Sequence, residues 1–268
     1  KYTHFLLQII KSHYLKTNYM DPISLFKETN FSNNIWWQLK TKVKGFQNDF
    51  SDNLVTEILD KRSFRLVEKD LSLEKWEHKS RILVQLYEDG YLCWVNTDQL
   101  IFERLISNQI DQIICSKSYI ESQIPLILNW IQDQSLLYNQ YLWGGTVGPN
   151  YDCSGLIQTA FLKHNIFLPR DSYQIKNFCT KISNFPADIN LLKMGDILFF
   201  GDHSECNHVA IYFEDGFYWH SSGKDNGRDG IGKDNLFNNN NLISSHYNSQ
   251  LISVGRVTRS YRWNKTLR

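Results

Sequence analysis

Residues 141–155 read YLWGGTVGPNYDCSG, and an apolar stretch of helical character, LIQTAFLKH, follows directly. Two glycines and a Gly-Pro-Asn loop lead into Asp152-Cys153-Ser154-Gly155. Glycine allows close approach and backbone angles closed to other residues. A cysteine placed where a loop becomes a helix meets unpaired N–H groups and the positive end of the helix dipole, which favour a thiolate. The pattern predicts a nucleophile at Cys153 rather than a core thiol. Asp152 is equally suited to cap the helix that follows it.

A cysteine nucleophile needs a base, and the base needs an orienting partner. Downstream, NHVAIYFEDGFYWHSSG (207–223) reads as a β-hairpin around Asp215-Gly216. His208 opens its first strand and is assigned as the base. His220 ends the second and is assigned as the orienting residue. Loop parity decides whether they can meet. A two-residue turn pairs His220 with Ile211 and puts the imidazoles on opposite faces. An odd loop or a bulge pairs His220 with Ala210 and puts both on one face. The chemistry therefore requires an odd loop or a bulge. The Cys153 N–H and the Tyr141 hydroxyl are assigned to the oxyanion. Asp152 and Ser154 flank the nucleophile and are candidates to bind a substrate amine, with Arg170 and Arg228 as candidates for a substrate carboxylate. His203-x-x-Cys206-x-His208 offers three zinc-ligand types, but no fourth has a matching spacing. No metal or cofactor is expected.

The chain has 268 residues, 42% hydrophobic and 14% aromatic, enough for two modest domains with packed cores. Its 29 basic and 28 acidic residues give a net charge of +1, which makes no case for nucleic acid. No apolar run of about 18 residues predicts a membrane span, and KYTHFLLQII lacks the features of a secretory signal. The five cysteines are odd in number, irregular in spacing and without CxxC, as expected of free thiols in a reducing compartment. A cytoplasmic monomer is the expectation. Lys1 opens the sequence, whereas Met20 begins MDPISLF. Residues 1–19 are expected to be part of a longer chain or an upstream over-read, with Met20 alternatively an internal residue.

Residues 1–35 read as an irregular extension. Over 36–105, the runs QLKTKVKGF, LVTEIL, SFRLVEK, RILVQLYE and YLCWVN alternate with turn material and predict a small β-barrel or sandwich of about five strands. Over 106–263, helical spacing at Ile106, Ile110, Ile113 and Ile114 comes first, then a helix beginning at Pro125, then the helix after Cys153. Strands ILFF, the histidine hairpin and LISVGRVTRSY follow, and the asparagine run NLFNNNNL reads as a solvated turn. Helices followed by hairpin strands imply an α+β unit with an antiparallel sheet. Residues 264–268 are a short tail.

Six motifs occur in order: Tyr141-Leu142-Trp143-Gly144-Gly145, Asp152-Cys153-Ser154-Gly155-Leu156, Pro169-Arg170-x-Ser172-x-Gln174, Gly195-Asp196-x-x-Phe199-Phe200, His208-Val209-Ala210-Ile211-Tyr212 and His220-Ser221-Ser222-Gly223. Over roughly residues 110–262 they resemble the NlpC-type cell-wall cysteine peptidases, which have a minimal papain-like core. The resemblance implies a triad of Cys153, His208 and His220, and substrate contacts at Ser172, Ser221 and Ser222. Ala210 stands where the family usually has glycine. WGGTVGPNYDCSG and HSSGKDNGRDGIG, with a small barrel before them, are similar to the cyanobacterial-type γ-D-glutamyl-diamino acid endopeptidases. That likeness implies an SH3-like barrel beside the active site, restricting substrates to peptidoglycan stem peptides with a free N-terminal L-alanine. It places Asp89 and Tyr91 of LYEDGYLCW near the substrate amine. The implied reaction is cleavage between γ-D-glutamate and meso-diaminopimelate or lysine, in cell-wall recycling. The rival readings are an amidase or acyltransferase using the same Cys-His pair, and a non-catalytic wall-binding protein.

Overall fold

The computed structural model describes residues 36–67, 80–104, 115–184, 189–202 and 205–263. The extension over 1–35, the helical spacing at Ile106–Ile114, His203 and the tail lie outside the described residues.

Seven short strands build the N-terminal sheet: β1 (Trp37–Leu39), β2 (Val43–Phe46), β3 (Leu54–Ile58), β4 (Ser63–Leu66), β5 (Arg81–Leu86), β6 (Leu92–Asn96) and β7 (Phe102–Arg104). They run antiparallel in the order β3-β2-β6-β5-β4-β1-β7. Successive side chains on a strand point to opposite faces. Ile82, Val84 and Leu86 thus share one face of β5, and they join Trp37, Ile58, Phe64 and Val95 in a core of their own. The run QLKTKVKGF, read as one strand, divides into β1 and β2 around Lys40–Lys42.

The rest forms an α+β unit, as the sequence pattern predicts. Its elements are α1 (Lys117–Leu136), α2 (Cys153–Leu162), α3 (Ser172–Phe178), β8 (Thr180–Asn184), β9 (Ile197–Asp202), β10 (Glu205–Tyr212), β11 (Phe217–Ser222), β12 (Gly230–Asn235), α4 (Leu242–Asn248) and β13 (Leu251–Arg256). The six strands lie in the order β12-β11-β10-β9-β13-β8, all paired antiparallel. ILFF and VAIY are continuous apolar runs because their strands are covered on both sides. Ile197, Phe199, Val209 and Ile211 pack with residues of α1, α2 and α3. Leu198, Phe200, Ala210 and Tyr212 face the other way, against Tyr218 and Tyr247.

The helix expected to begin at Pro125 instead passes through it, since α1 is continuous over 20 residues. Proline lacks the N–H that would bond the carbonyl four residues earlier. Pro125 and Glu121 both lie on the exposed side, where water can satisfy that carbonyl. The buried stripe of Ile120, Ile127, Leu128 and Ile131 holds the helix to the core.

Glu57 and Asp89 are among the residues that fasten the N-terminal sheet to the segment around Cys153. Glu57 of β3 accepts from the Thr146 and Val147 amides through Oε2 (3.3 and 3.1 Å), and its carbonyl accepts from Thr146 Oγ1. Asp89 Oδ2 accepts from Arg62 Nη2 and from Gln158 Nε2 on α2, both at 3.0 Å.

Candidate active site

Cys153 is the first residue of α2 and Asp152 is its N-cap. One Asp152 oxygen accepts from the Gly155 amide (2.6 Å) and the other from the Gly144 amide (2.9 Å), so one carboxylate closes the glycine loop onto the helix start. Gly155 is required there, because a Cβ would collide with the Gly145 carbonyl. Arg170, only 2% exposed, forms a forked ion pair with Asp152 (Nη2–Oδ2 2.5 Å, Nη1–Oδ1 3.2 Å) and also donates to Ser154 Oγ (2.9 Å) and Thr56 Oγ1 (3.3 Å). Ser154 in turn donates to Asp152 (3.2 Å). Asp152, Ser154 and Arg170, expected to touch substrate, are therefore partners of one another. Burying any of these charges alone would cost several kcal/mol, and the cluster satisfies them mutually.

The Cys153 thiol is buried, and its Sγ lies 4.0 Å from the Asn207 carbonyl oxygen. Burial, followed by the adjacent Asp152 charge, pushes the thiol up to about 12; the Val209 and Ser154 amides and Arg170 pull it down by less. The helix terminus does favour the anion, but loss of hydration outweighs it.

The hairpin has the required parity. Ile211 pairs with Trp219 and Tyr212 with Tyr218, a register that sets Ala210 opposite His220. Phe213 and Phe217 close a three-residue loop, Glu214-Asp215-Gly216, in which Asp215 and Gly216 have φ of 52° and 81°. A register shift between Cys206 and His208 adds a bulge where β10 begins. Both imidazoles thus lie on one face, with His208 Nε2 2.8 Å from His220 Nδ1. Beyond His220, its Nε2 lies 2.7 Å from Asp234 Oδ2 on β12, an oxygen that also accepts from Arg228 Nη2 at 2.7 Å. Ser244 Oγ on α4 donates to the other Asp234 oxygen (3.3 Å).

Burial, with His220 and His246 adding, holds His208 well below the usual histidine range. Burial also lowers His220, against the pull of Asp234. Burial would raise Asp234, but His220 and Arg228 together bring it below the ordinary carboxylate range. The resting group is thus an ionised Asp234 balanced by Arg228, with two neutral imidazoles. Tyr247 of α4 clamps them: it stacks on His208 (4.4 Å, 27°), lies edge-on to His220 (4.7 Å, 83°), and bonds Ser222 Oγ (2.7 Å) and Asn226 Nδ2 (3.0 Å) through its hydroxyl.

Tyr141 is half-buried, with its amide bonded to Asp229 Oδ1 (3.1 Å) and its ring beside Gly223. Burial, Cys153, Asp152 and Tyr247 raise its hydroxyl far above the ordinary tyrosine value, so it stays a neutral donor.

Other expected substrate contacts are used inside the protein. Ser172 donates to the Cys206 carbonyl (2.9 Å) and steadies the β10 bulge, while Ser221 donates to the Tyr151 carbonyl (2.6 Å). Ser222 bonds Tyr247, and Arg228 holds Asp234 rather than standing free for a carboxylate. Asp89 is 8% exposed, and its second oxygen accepts from the Tyr91 amide (3.0 Å); the Tyr91 hydroxyl donates to Asp171 (3.3 Å). Asp89 and Tyr91 thus bridge the N-terminal sheet to α2 and to Asp171 at the start of α3. Asp234 and Tyr247 escaped the sequence reading. A usable signal for Asp234 was Gly-x-Asp on the strand beside His220, where Gly232 pairs with His220 and leaves the space that the Arg228 guanidinium fills. Among the described residues, no group of three or more His, Cys, Asp or Glu is placed to hold a metal ion.

Residues 138–263 match the model of the NlpC/P60 family. Among curated proteins, a γ-D-glutamyl-L-lysine dipeptidyl-peptidase of Bacillus cereus is 38% identical over 85 residues, covering 30% of this chain and 24% of that protein. The bifunctional muramidase/DL-endopeptidase CwlT of Bacillus subtilis is 32% identical over 121 residues, 44% of this chain and 32% of that protein. The probable endopeptidase p60 of Listeria monocytogenes is 33% identical over 124 residues, 46% of this chain and 22% of that protein. The chain thus spans less than a third of the length of each of these relatives. Among solved structures, an NlpC/P60 family protein from Bacillus cereus aligns with a TM-score of 0.42 at 20% identity, covering 87% of this chain and 66% of that one. NlpC1 from Trichomonas vaginalis aligns at 0.45 and 16% identity, covering 85% and 94%. Residues 138–263 of this chain are an NlpC/P60 family domain.

Proposed function

We propose that this chain is a cysteine endopeptidase that cleaves peptidoglycan stem peptides between γ-D-glutamate and a diamino acid, meso-diaminopimelate or lysine. The observation that carries the reading is the placement of His208 and His220 on one hairpin face, 2.8 Å apart, with the Cys153 thiol against the backbone of Asn207. The activities for which the relatives are named, a γ-D-glutamyl-L-lysine dipeptidyl-peptidase and a DL-endopeptidase, support the choice of bond.

In this reading His208 takes the thiol proton as Cys153 Sγ attacks the γ-carbonyl carbon. The oxyanion is held by the Cys153 N–H, one of the first-turn amides without a helical partner, and by the Tyr141 hydroxyl. Collapse breaks the C–N bond, and the His208 imidazolium returns its proton to the departing amine. Water, deprotonated by His208, then hydrolyses the thioester, releasing the γ-glutamyl acid and restoring the thiol. With a neutral thiol and a neutral imidazole at rest, the proton moves during attack rather than before it. A requirement for a free N-terminal L-alanine and a role in recycling wall fragments inside the cell belong to the same proposal and rest on the family resemblance.

The test is incubation with L-Ala-γ-D-Glu-meso-diaminopimelate, free and N-acetylated, using the wild-type protein and Cys153→Ala. Release of diaminopimelate by the wild type alone is expected, and from the free peptide alone if the amine is read. No release from either peptide would overturn the assignment of the bond. Equal cleavage of both would overturn the amine requirement only.

A further inference from the structure

We propose that Asp234, anchored by Arg228, is a positioning residue that fixes the direction of the protons along His220 and His208, so that His208 offers a bare Nδ1 to the Cys153 thiol. The proposal rests on the reading of Cys153 as nucleophile and His208 as base.

An ionised carboxylate can only accept hydrogen bonds, and a neutral imidazole carries one N–H. Asp234 Oδ2, 2.7 Å from His220 Nε2, therefore assigns that hydrogen to Nε2 and leaves His220 Nδ1 as a lone pair. The 2.8 Å contact between that lone pair and His208 Nε2 then requires the His208 hydrogen on Nε2. His208 Nδ1 is left unprotonated, as a base must be. The chain has a second, reversed arrangement. If the group beyond His220 donated or were apolar, His220 could carry its hydrogen on Nδ1 and donate to His208 Nε2. His208 would then present an N–H toward the thiol and could not take its proton.

The surroundings of Asp234 hold it in the accepting state. A buried carboxylate without a cation takes up a proton, and the neutral acid would then be able to donate. Arg228 Nη2, 2.7 Å from the same oxygen, prevents this and supplies the balancing charge, so that neither imidazole has to. Gly232 serves the arrangement as well, since a Cβ there would overlap the guanidinium.

The experiment reads the imidazole tautomers of His208 and His220 by 15N NMR, beside hydrolysis rates, in the wild type, Asp234→Leu and Asp234→Asn. The NMR measurement needs no substrate, so a failure of the proposed peptidase activity leaves it intact, and the two failures are distinguishable. In the wild type both rings should carry hydrogen on Nε2. Asp234→Leu should populate the Nδ1–H form of His208 and lower kcat/KM by about 100-fold or more, the scale of general-base catalysis. In Asp234→Asn, the amide oxygen can replace Oδ2 and the amide nitrogen can donate to Ser244. That variant should keep the wild-type tautomers and stay within about tenfold of wild-type activity if the effect is one of hydrogen-bond direction. The proposal is overturned if wild-type His208 carries its hydrogen on Nδ1. It is equally overturned if the folded Leu variant keeps both tautomers and its rate, or if the Asn variant keeps the tautomers yet is as inactive as Leu.

Discussion

Replacing Arg170 by methionine separates a structural role from a substrate-binding one. The guanidinium is 2% exposed and contacts Asp152, Ser154 and Thr56, so its removal leaves the Asp152 carboxylate buried without a cation. Asp152 keeps the Gly144 and Gly155 amides and the Ser154 hydroxyl, which limits the damage. Breaking one side of a buried ion pair costs about 3–5 kcal/mol. For a chain of this size, that lowers Tm by about 6–20 °C. Calorimetry on the wild type, Arg170→Met, Asp152→Asn and the double variant reads this directly. The double variant should lose at least about 1 kcal/mol less than the sum of the two, because it removes both charges together. A Tm within about 2 °C of wild type, combined with a raised KM, would refute the reasoning and return Arg170 to the substrate carboxylate.

Four further outcomes follow from the site. His208 is buried and faces His220, His246 and Tyr247, its chain neighbours Asn207 and Val209 touch the Cys153 thiol, and its pKa is held below 6.5; only the neutral ring can accept the thiol proton. The acid limb of kcat/KM should therefore have its midpoint below pH 6.5 and stay flat from there through neutral pH, with the thiol pushed up to about 12. A loss of kcat/KM with a midpoint between about pH 7 and 9, where the imidazolium of a resting ion pair would give up its proton, would contradict the neutral pair. The same depression makes the unfolded chain bind protons that the folded one refuses, so stability should fall as pH drops below about 6.5, as followed by urea midpoints. Gly155→Ala forces a methyl group into the Gly145 carbonyl, and its urea midpoint should fall by the equivalent of about 1–3 kcal/mol; an unchanged midpoint would contradict the close packing described. Tyr247→Phe keeps the stack on His208 and should retain kcat/KM within about tenfold, whereas Tyr247→Leu should fall clearly below it; equal rates would remove the clamp.

The parity of the hairpin was legible because a side-chain period of two leaves only two outcomes, and the chemistry excluded one. The three-residue loop at Glu214–Gly216 is the result. The cap at Asp152 was equally visible, as a carboxylate immediately before an apolar helical run. The direction in which a polar side chain turns was not visible. Ser172, Ser221, Ser222, Arg170 and Arg228 stand beside reactive residues in the sequence, and spacing does not say whether such groups face a ligand or each other. In the fold each meets a buried partner, because a polar group next to a closely packed site must be satisfied there. Asp234 lies 14 residues beyond His220 in chain order and beside it only through the pairing of β11 with β12. Tyr247 sits on a seven-residue helix behind the asparagine run, where composition indicates solvent exposure; the long-range packing of α4 under the histidines overrides it. Pro125 pointed to a helix start, yet the buried stripe on either side of it carried the helix through.

The thiol chemistry assigned to Cys153 leaves a covalent trace. Wild-type protein mixed with L-Ala-γ-D-Glu-meso-diaminopimelate and quenched in acid before steady state can be digested and weighed by mass spectrometry. The expected result is an L-Ala-γ-D-Glu acyl group on the Cys153 peptide, absent from Cys153→Ala, with diaminopimelate released in step with it. Turnover by Cys153→Ala, or an acyl group on Cys93, Cys115, Cys179 or Cys206 instead, would contradict the assignment of the nucleophile.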